Sequence, residues 1–255
     1  MNRKDFLKKG LLTSSLTAGF ATLYCSKSSS DNNNDWALAL LRSSATITEG
    51  TSASCSTNCA KVPEETTGPY PFKSSSSPYI RSDIREDRTG IQLDLTISVL
   101  NTNNSCSPIE GLNVYIWHCD QSGYYSQYSG QPGILGTKDY SSLTFLRGIQ
   151  TTDSSGNVKF VTIYPGWYTS RATHIHVQVY SGSTLIATSQ IAFPESTNTT
   201  VNSSSGYSTH GQNSVTNTKD NIFGNSSTDL SLELACLSGT TTAGFTANFK
   251  LGIAT

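Results

Sequence analysis

Ile91-Gln92-Leu93-Asp94-Leu95-Thr96-Ile97-Ser98-Val99 places apolar residues at every odd position and polar ones between them. Successive side chains of a strand point to opposite faces, so this period of two describes a strand with one dry and one wet face. Similar runs follow: Leu112–Trp117, then Val158–Ile163 behind the turn Asp153-Ser154-Ser155-Gly156. Ile175–Val179 and Leu185–Ala187 flank Ser181-Gly182-Ser183 and read as a hairpin. Leu230, Leu232, Leu234 and Cys236 alternate again, as do Phe245, Ala247, Phe249 and Leu251. No helical period of comparable strength is present beyond the first 25 residues. The pattern predicts an all-β fold, an antiparallel β-sandwich with long polar loops, over residues 62–255. The Ser-, Asn- and Thr-rich stretch 194–228 is expected to be such a loop, carrying His210 at the surface.

The chain has 255 residues, enough for one sizeable domain with appendages. Charged residues make up 14% and the net charge is -1, so there is no basic stripe and no case for nucleic acid as a partner. Residues 1–25 read as an export signal. Arg3, Lys4, Lys8 and Lys9 precede a short apolar run, Gly10–Ala21, that is too short to cross a bilayer as a helix. Arg3-Lys4-Asp5-Phe6-Leu7-Lys8 resembles a twin-arginine signal with lysine in the second place. Cys25 stands where a lipoprotein cysteine would, so contact with a membrane is expected only through a lipid there. Both routes predict an exported protein, periplasmic or attached to the cell envelope. Residues 26–61 read as a Ser- and Asn-rich linker or surface wrap. Six cysteines in an exported chain imply disulfides. Cys55 and Cys59 could close a local bridge or belong to two longer ones.

The chemistry points to Pro165-Gly166-Trp167-Tyr168-Thr169-Ser170-Arg171-Ala172-Thr173-His174-Ile175-His176. In a strand, His174 and His176 present both imidazoles to one face, a ready pair of metal ligands. The plainer reading is a hairpin strand with two outward polar residues. A zinc hydrolase on the same two histidines would lack an evident third ligand. A second tyrosine-bearing segment, Trp117-His118-Cys119-Asp120-Gln121-Ser122-Gly123-Tyr124-Tyr125-Ser126, lies upstream. His118 is expected to be structural, facing away from Tyr125.

Together with Phe145-Leu146-Arg147-Gly148-Ile149-Gln150-Thr151-Thr152-Asp153, these segments resemble the intradiol ring-cleavage dioxygenases, the catechol- and protocatechuate-cleaving family, from about Val62 to Phe193. The resemblance implies a sandwich of the intradiol type and one non-haem ferric ion, Fe(3+), held by Tyr125, Tyr168, His174 and His176. A register slip of one would put Tyr124 in place of Tyr125. Arg171 and Gln190 would then be active-site residues, with Tyr168 leaving the metal to take a substrate proton. Thr66-Thr67-Gly68-Pro69-Tyr70 resembles a segment beside the family's substrate, making Thr66 and Tyr70 candidate pocket residues. Asp83–Arg88 is expected to be an ion-paired loop.

The partners so implied are a small aromatic diol and O2, with both oxygen atoms inserted between the hydroxylated carbons to give a cis,cis-muconate. Two phenolates, hard anionic oxygens with a free pKa of about 10, suit a trivalent ion and would colour the protein red-brown. The alternative is a surface module on the same sandwich that binds iron or catechols without turnover.

Overall fold

The structure, a computed structural model, describes residues 59–73 and 77–255. The expected export signal over 1–25, most of the linker over 26–61, and Cys25 and Cys55 lie outside the described residues.

Among the described residues, nine strands form two sheets. The first holds β1 (Gln92–Asn101), β2 (Ser107–Pro108), β5 (Asn157–Ile163), β8 (Cys236–Thr240) and β9 (Gly244–Ile253). Its order is β2-β1-β9-β8, with β5 also paired to β1. The second holds β3 (Asn113–Trp117), β4 (Arg147–Thr151), β6 (His174–Ser181) and β7 (Thr184–Ala192), in the order β4-β3-β6-β7. All pairings are antiparallel except β1 with β9, which run parallel.

The alternation in β1 does what its chemistry requires. Leu93, Leu95, Ile97 and Val99 are at most 1% exposed, while Gln92 and Asp94 face solvent. These residues share one core with Val114, Ile116, Ile175, Val177, Val179 and Ile191 of the second sheet. Each buried aliphatic side chain contributes about 2 kcal/mol of apolar transfer free energy. β6 is covered on its other face too: His174, His176 and Gln178 are also buried. Its outer face is therefore roofed by loops, and the candidate site lies beneath that roof.

Three expectations fail between β7 and β8. The 194–228 stretch is not only loop: it contains α1 (Glu195–Asn202) and two short 3-10 turns. His210 is 5% exposed rather than on the surface. The expected strand at Leu230–Leu234 is mostly the helix α2 (Ser227–Glu233). Ser226 caps it, its Oγ accepting from Asp229 N at 3.2 Å, and Asp229 suits the positive end of the first turn. Leu230 and Leu234, four apart, pack against a cluster that includes Phe223 and Ala192.

Cys59 is bonded to Cys106, which ties the start of the domain to the loop after β1. The local Cys55–Cys59 bridge is thereby excluded. Cys236 is also disulfide-bonded, and Cys119 is a buried free thiol. The charged stretch 81–88 forms the ion pairs Arg81–Glu86, Arg85–Asp83 and Arg88–Asp87.

Candidate active site

β6 delivers the two histidines. His174 Nδ1 donates to Ala172 O at 2.6 Å, so its Nε2 carries a lone pair. That Nε2 lies 3.1 Å from His176 Nε2. His176 stacks on its register partner Trp117, with centroids 4.8 Å apart and ring planes nearly parallel. Burial and the Arg171 charge keep His174 neutral down to about pH 3, and burial with the neighbouring His174 holds His176 well below its ordinary value. Both rings are thus neutral at any ordinary pH, the state in which an imidazole can bind a metal.

The tyrosines come from two turns pressed together backbone to backbone. A Cβ on Gly123 would stand 2.3 Å from Trp167 O, and one on Gly166 would stand 2.5 Å from Asp120 O. Only glycines let the Gly-x-Tyr and Pro-Gly-x-Tyr turns approach this closely. The Asp120 carboxylate accepts from Ser122 N and Tyr124 N, shaping the first turn. Gln131 accepts from Tyr125 N at 2.7 Å and donates to Tyr125 O at 2.6 Å, which fixes the backbone of that residue.

Tyr125 and Tyr168 then converge on the histidines. Ring centroids are 5.7 Å apart for Tyr125–Tyr168, 5.5 Å for Tyr168–His174 and 6.2 Å for Tyr125–His176. Tyr124 points elsewhere, donating to Gly136 O at 2.6 Å. Tyr70 stacks on Tyr125 with centroids 4.8 Å apart and meets Tyr168 edge-on. Thr66 contributes its carbonyl, which accepts from Gln190 Nε2 at 2.9 Å, while its side chain is exposed.

Arg171 lies beside this group. Its Nη2 donates to Gln190 Oε1 at 2.6 Å, its Nε to Asp220 Oδ2 at 2.9 Å, and its Nη1 is 3.4 Å from Tyr168 Oη. Behind Tyr125, the fully buried Arg147 donates to Ser126 Oγ, Ser126 O, Tyr70 O and Pro71 O. His118 points away, bonded to Cys119 O and Thr162 Oγ1. Sequence reading missed Gln131, Asp220 and the role of Arg147.

Tyr125 Oη is buried without any hydrogen-bond partner, and so is His176 Nδ1. Buried polar atoms are normally satisfied. Burial pushes the Tyr125 phenol well above its ordinary pKa and Tyr168 up to about 12, so both stay protonated unless a cation draws the proton off. Among the described residues, no three His, Cys, Asp or Glu side chains could hold a metal together. Two neutral imidazoles and two phenols do converge. That donor set, two nitrogens and two oxygens that become hard anions, fits a ferric ion.

A two-sheet sandwich gathers two phenols and two imidazoles under one roof of loops, the arrangement that the resemblance to ring-cleaving dioxygenases implies. The sequence model of a family described as dioxygenase matches residues 67–219. An intradiol ring-cleavage dioxygenase from Tetranychus urticae is 32% identical, with 77% of this chain and 95% of that one covered, at a TM-score of 0.68. The dioxygenase domain of a carbohydrate-binding fusion from Streptomyces sp. SirexAA-E shares the fold at 23% identity and a TM-score of 0.53, over 76% of this chain and 99% of that one. Hydroxyquinol 1,2-dioxygenase from Pseudomonas putida DLL-E4 shares it at 13% and 0.52, over 78% and 68%. No curated protein matches. The chain belongs to the intradiol ring-cleavage dioxygenase family and is an enzyme of that class.

Proposed function

We propose that the protein is a non-haem Fe(III) intradiol dioxygenase. It inserts both atoms of O2 into a catechol-type diol and cleaves the ring between the hydroxylated carbons to a cis,cis-muconate. One observation carries the reading: the partnerless Tyr125 Oη, fully buried and facing Tyr168, His174 and His176. Tyr125, Tyr168, His174 and His176 would hold the ion. When bound, the ferric ion supplies the Lewis acidity that ionises phenols and diol and makes the ring reactive toward oxygen.

The chain's own residues supply the rest. Tyr168 is less buried than Tyr125, and its high pKa makes its phenolate oxygen a strong base for a diol proton. Arg171 is a fixed positive charge 3.4 Å from that oxygen, placed to stabilise an anionic ring. Gln190 spans from Arg171 to Thr66 O and so fixes one wall. Tyr70 offers an aromatic face to a planar substrate.

The Cys59–Cys106 bridge and the bonded Cys236 support a location outside the cytoplasm. The test is to load the protein with ferric salt, record the visible band, add catechol under nitrogen and then admit oxygen. A band that shifts with catechol, followed by uptake of one O2 per diol, is the expected result. A colourless protein, or colour without uptake, overturns the proposal.

A further inference from the structure

The excursion between β7 and β8 closes over residues 167–172 through a series of polar contacts. His210 Nε2 donates to Trp167 O at 2.7 Å, and Trp167 Nε1 donates to Gly211 O at 3.1 Å. Asn213 Nδ2 donates to Arg171 O at 2.8 Å. Asp220 Oδ2 accepts from Arg171 Nε at 2.9 Å and from Ala172 N at 2.6 Å. Its Oδ1 accepts from Ile222 N at 2.8 Å and Phe223 N at 3.3 Å. The carboxylate is 2% exposed and held from behind by its own loop. A stretch that reads as polar filler thus delivers a single buried anion to the arginine of the site.

We propose that Asp220 is a positioning residue for ring cleavage, acting through Arg171; this rests on the function proposed above. An arginine side chain has several free torsions, and a charge that must reorient during the reaction stabilises it less. Asp220 grips the guanidinium at Nε and Gln190 grips it at Nη2. With those two points fixed, Nη1 is left facing Tyr168 Oη at 3.4 Å, on the side where the diol would bind. The same carboxylate oxygen also holds Ala172 N, two residues before His174. The arginine and the first histidine are therefore set against each other by one atom.

Asp220→Asn is the informative change. One amide oxygen can still accept from Ile222 N and Phe223 N. The amide nitrogen would then confront Arg171 Nε–H and Ala172 N–H, donor against donor. The iron-loaded variant is expected to keep its visible band and to bind catechol under nitrogen within about threefold of wild type, while kcat falls roughly 10- to 100-fold. In an Arg171→Lys background, Asp220→Asn should lower kcat by less than about twofold further, because the guanidinium that it positions is gone.

Asp220→Asn with wild-type kcat overturns the assignment, as does an equal loss in both backgrounds. Equal weakening of the band, of catechol binding and of kcat would mark a merely structural role and also overturns it. If the asparagine variant does not fold, Asp220→Glu takes its place under the same expectations. Failure of both to fold makes Asp220 structural and ends the proposal. Wild-type protein that neither colours nor consumes oxygen overturns the functional reading itself, and this assignment with it.

Discussion

Gly123 lies so close to Trp167 that a Cβ on it would stand 2.3 Å from the Trp167 carbonyl oxygen. That contact joins the two turns that carry Tyr125 and Tyr168, and Gly123 also has a φ of +87°. Gly123→Ala must push the turns apart, so both stability and iron content should drop, with stability lower by at least about 2 kcal/mol. Gly130→Ala is the control: it shares the positive φ (+64°) but has nothing within 4 Å of the added carbon. It should cost about 1 kcal/mol and leave the iron content intact. Melting curves and metal analysis of both variants decide; equal iron content in the two would sink the idea.

Tyr125→Phe separates the metal from the fold. The hydroxyl it removes is buried and has no protein partner. Without metal, the variant should melt at or above the wild-type temperature, by up to about 1 kcal/mol of added stability. With ferric salt, the wild type should gain stability and colour and the variant should gain little of either. Tyr168→Phe should also lose charge-transfer intensity, but its more exposed position makes its metal-free melting nearly neutral. A Tyr125→Phe protein as coloured as wild type would refute the ligand assignment.

Arg147 is a fully buried cation with carbonyls and a hydroxyl for partners. Burial lowers its pKa to about 10, still high enough to keep it charged at neutral pH. Its planar fork reaches four acceptors on the segments of Tyr70 and Ser126, which no single ammonium can imitate. Arg147→Lys should therefore cost about 2–3 kcal/mol, measured by denaturant unfolding of the metal-free protein. A loss below about 0.5 kcal/mol, the range of an ordinary surface substitution, would contradict this.

The parts of this protein governed by a local period were legible in its sequence. β1 and β9 announce themselves because one face of each is packed and the other is wet. His174 and His176 share a face for the same reason. Leu230 and Leu234 misled because a spacing of four fits a strand of period two and one helical turn alike. The Ser226–Asp229 cap was the signal that told them apart. Tyr124 and Tyr125 look alike in sequence, and only the path of the turn sends the Tyr124 hydroxyl to Gly136 O. Asp220 was invisible because it meets Arg171 across 49 residues of chain, a contact no pattern records. His210 was misplaced for a related reason: a polar neighbourhood in sequence became a buried one when it folded over Trp167.

Glu233, at the end of α2, gives the molecule a pH dependence of its own. It is 0% exposed, and neither carboxylate oxygen has a hydrogen-bond partner. Burial first, then the nearby Glu65, Asp229 and Asp220, raise its pKa from 4.5 to about 8. A raised carboxyl pKa means that between those values the folded state keeps a proton that the unfolded state has lost. Stability then falls as pH rises through this window and levels off above it. The wild type should lose stability between pH 5 and pH 8, whereas Glu233→Gln, with no proton to lose, should follow a flatter curve. The two should differ little at pH 5. At pH 8 the glutamine variant should be the more stable by at least about 1 kcal/mol, or about 2–4 °C in Tm. Thermal melts of the metal-free protein across that range make the comparison without involving the proposed metal site. Parallel curves for the two proteins would show that the carboxylate finds a partner in solution, and that its burial does not govern this part of the pH profile.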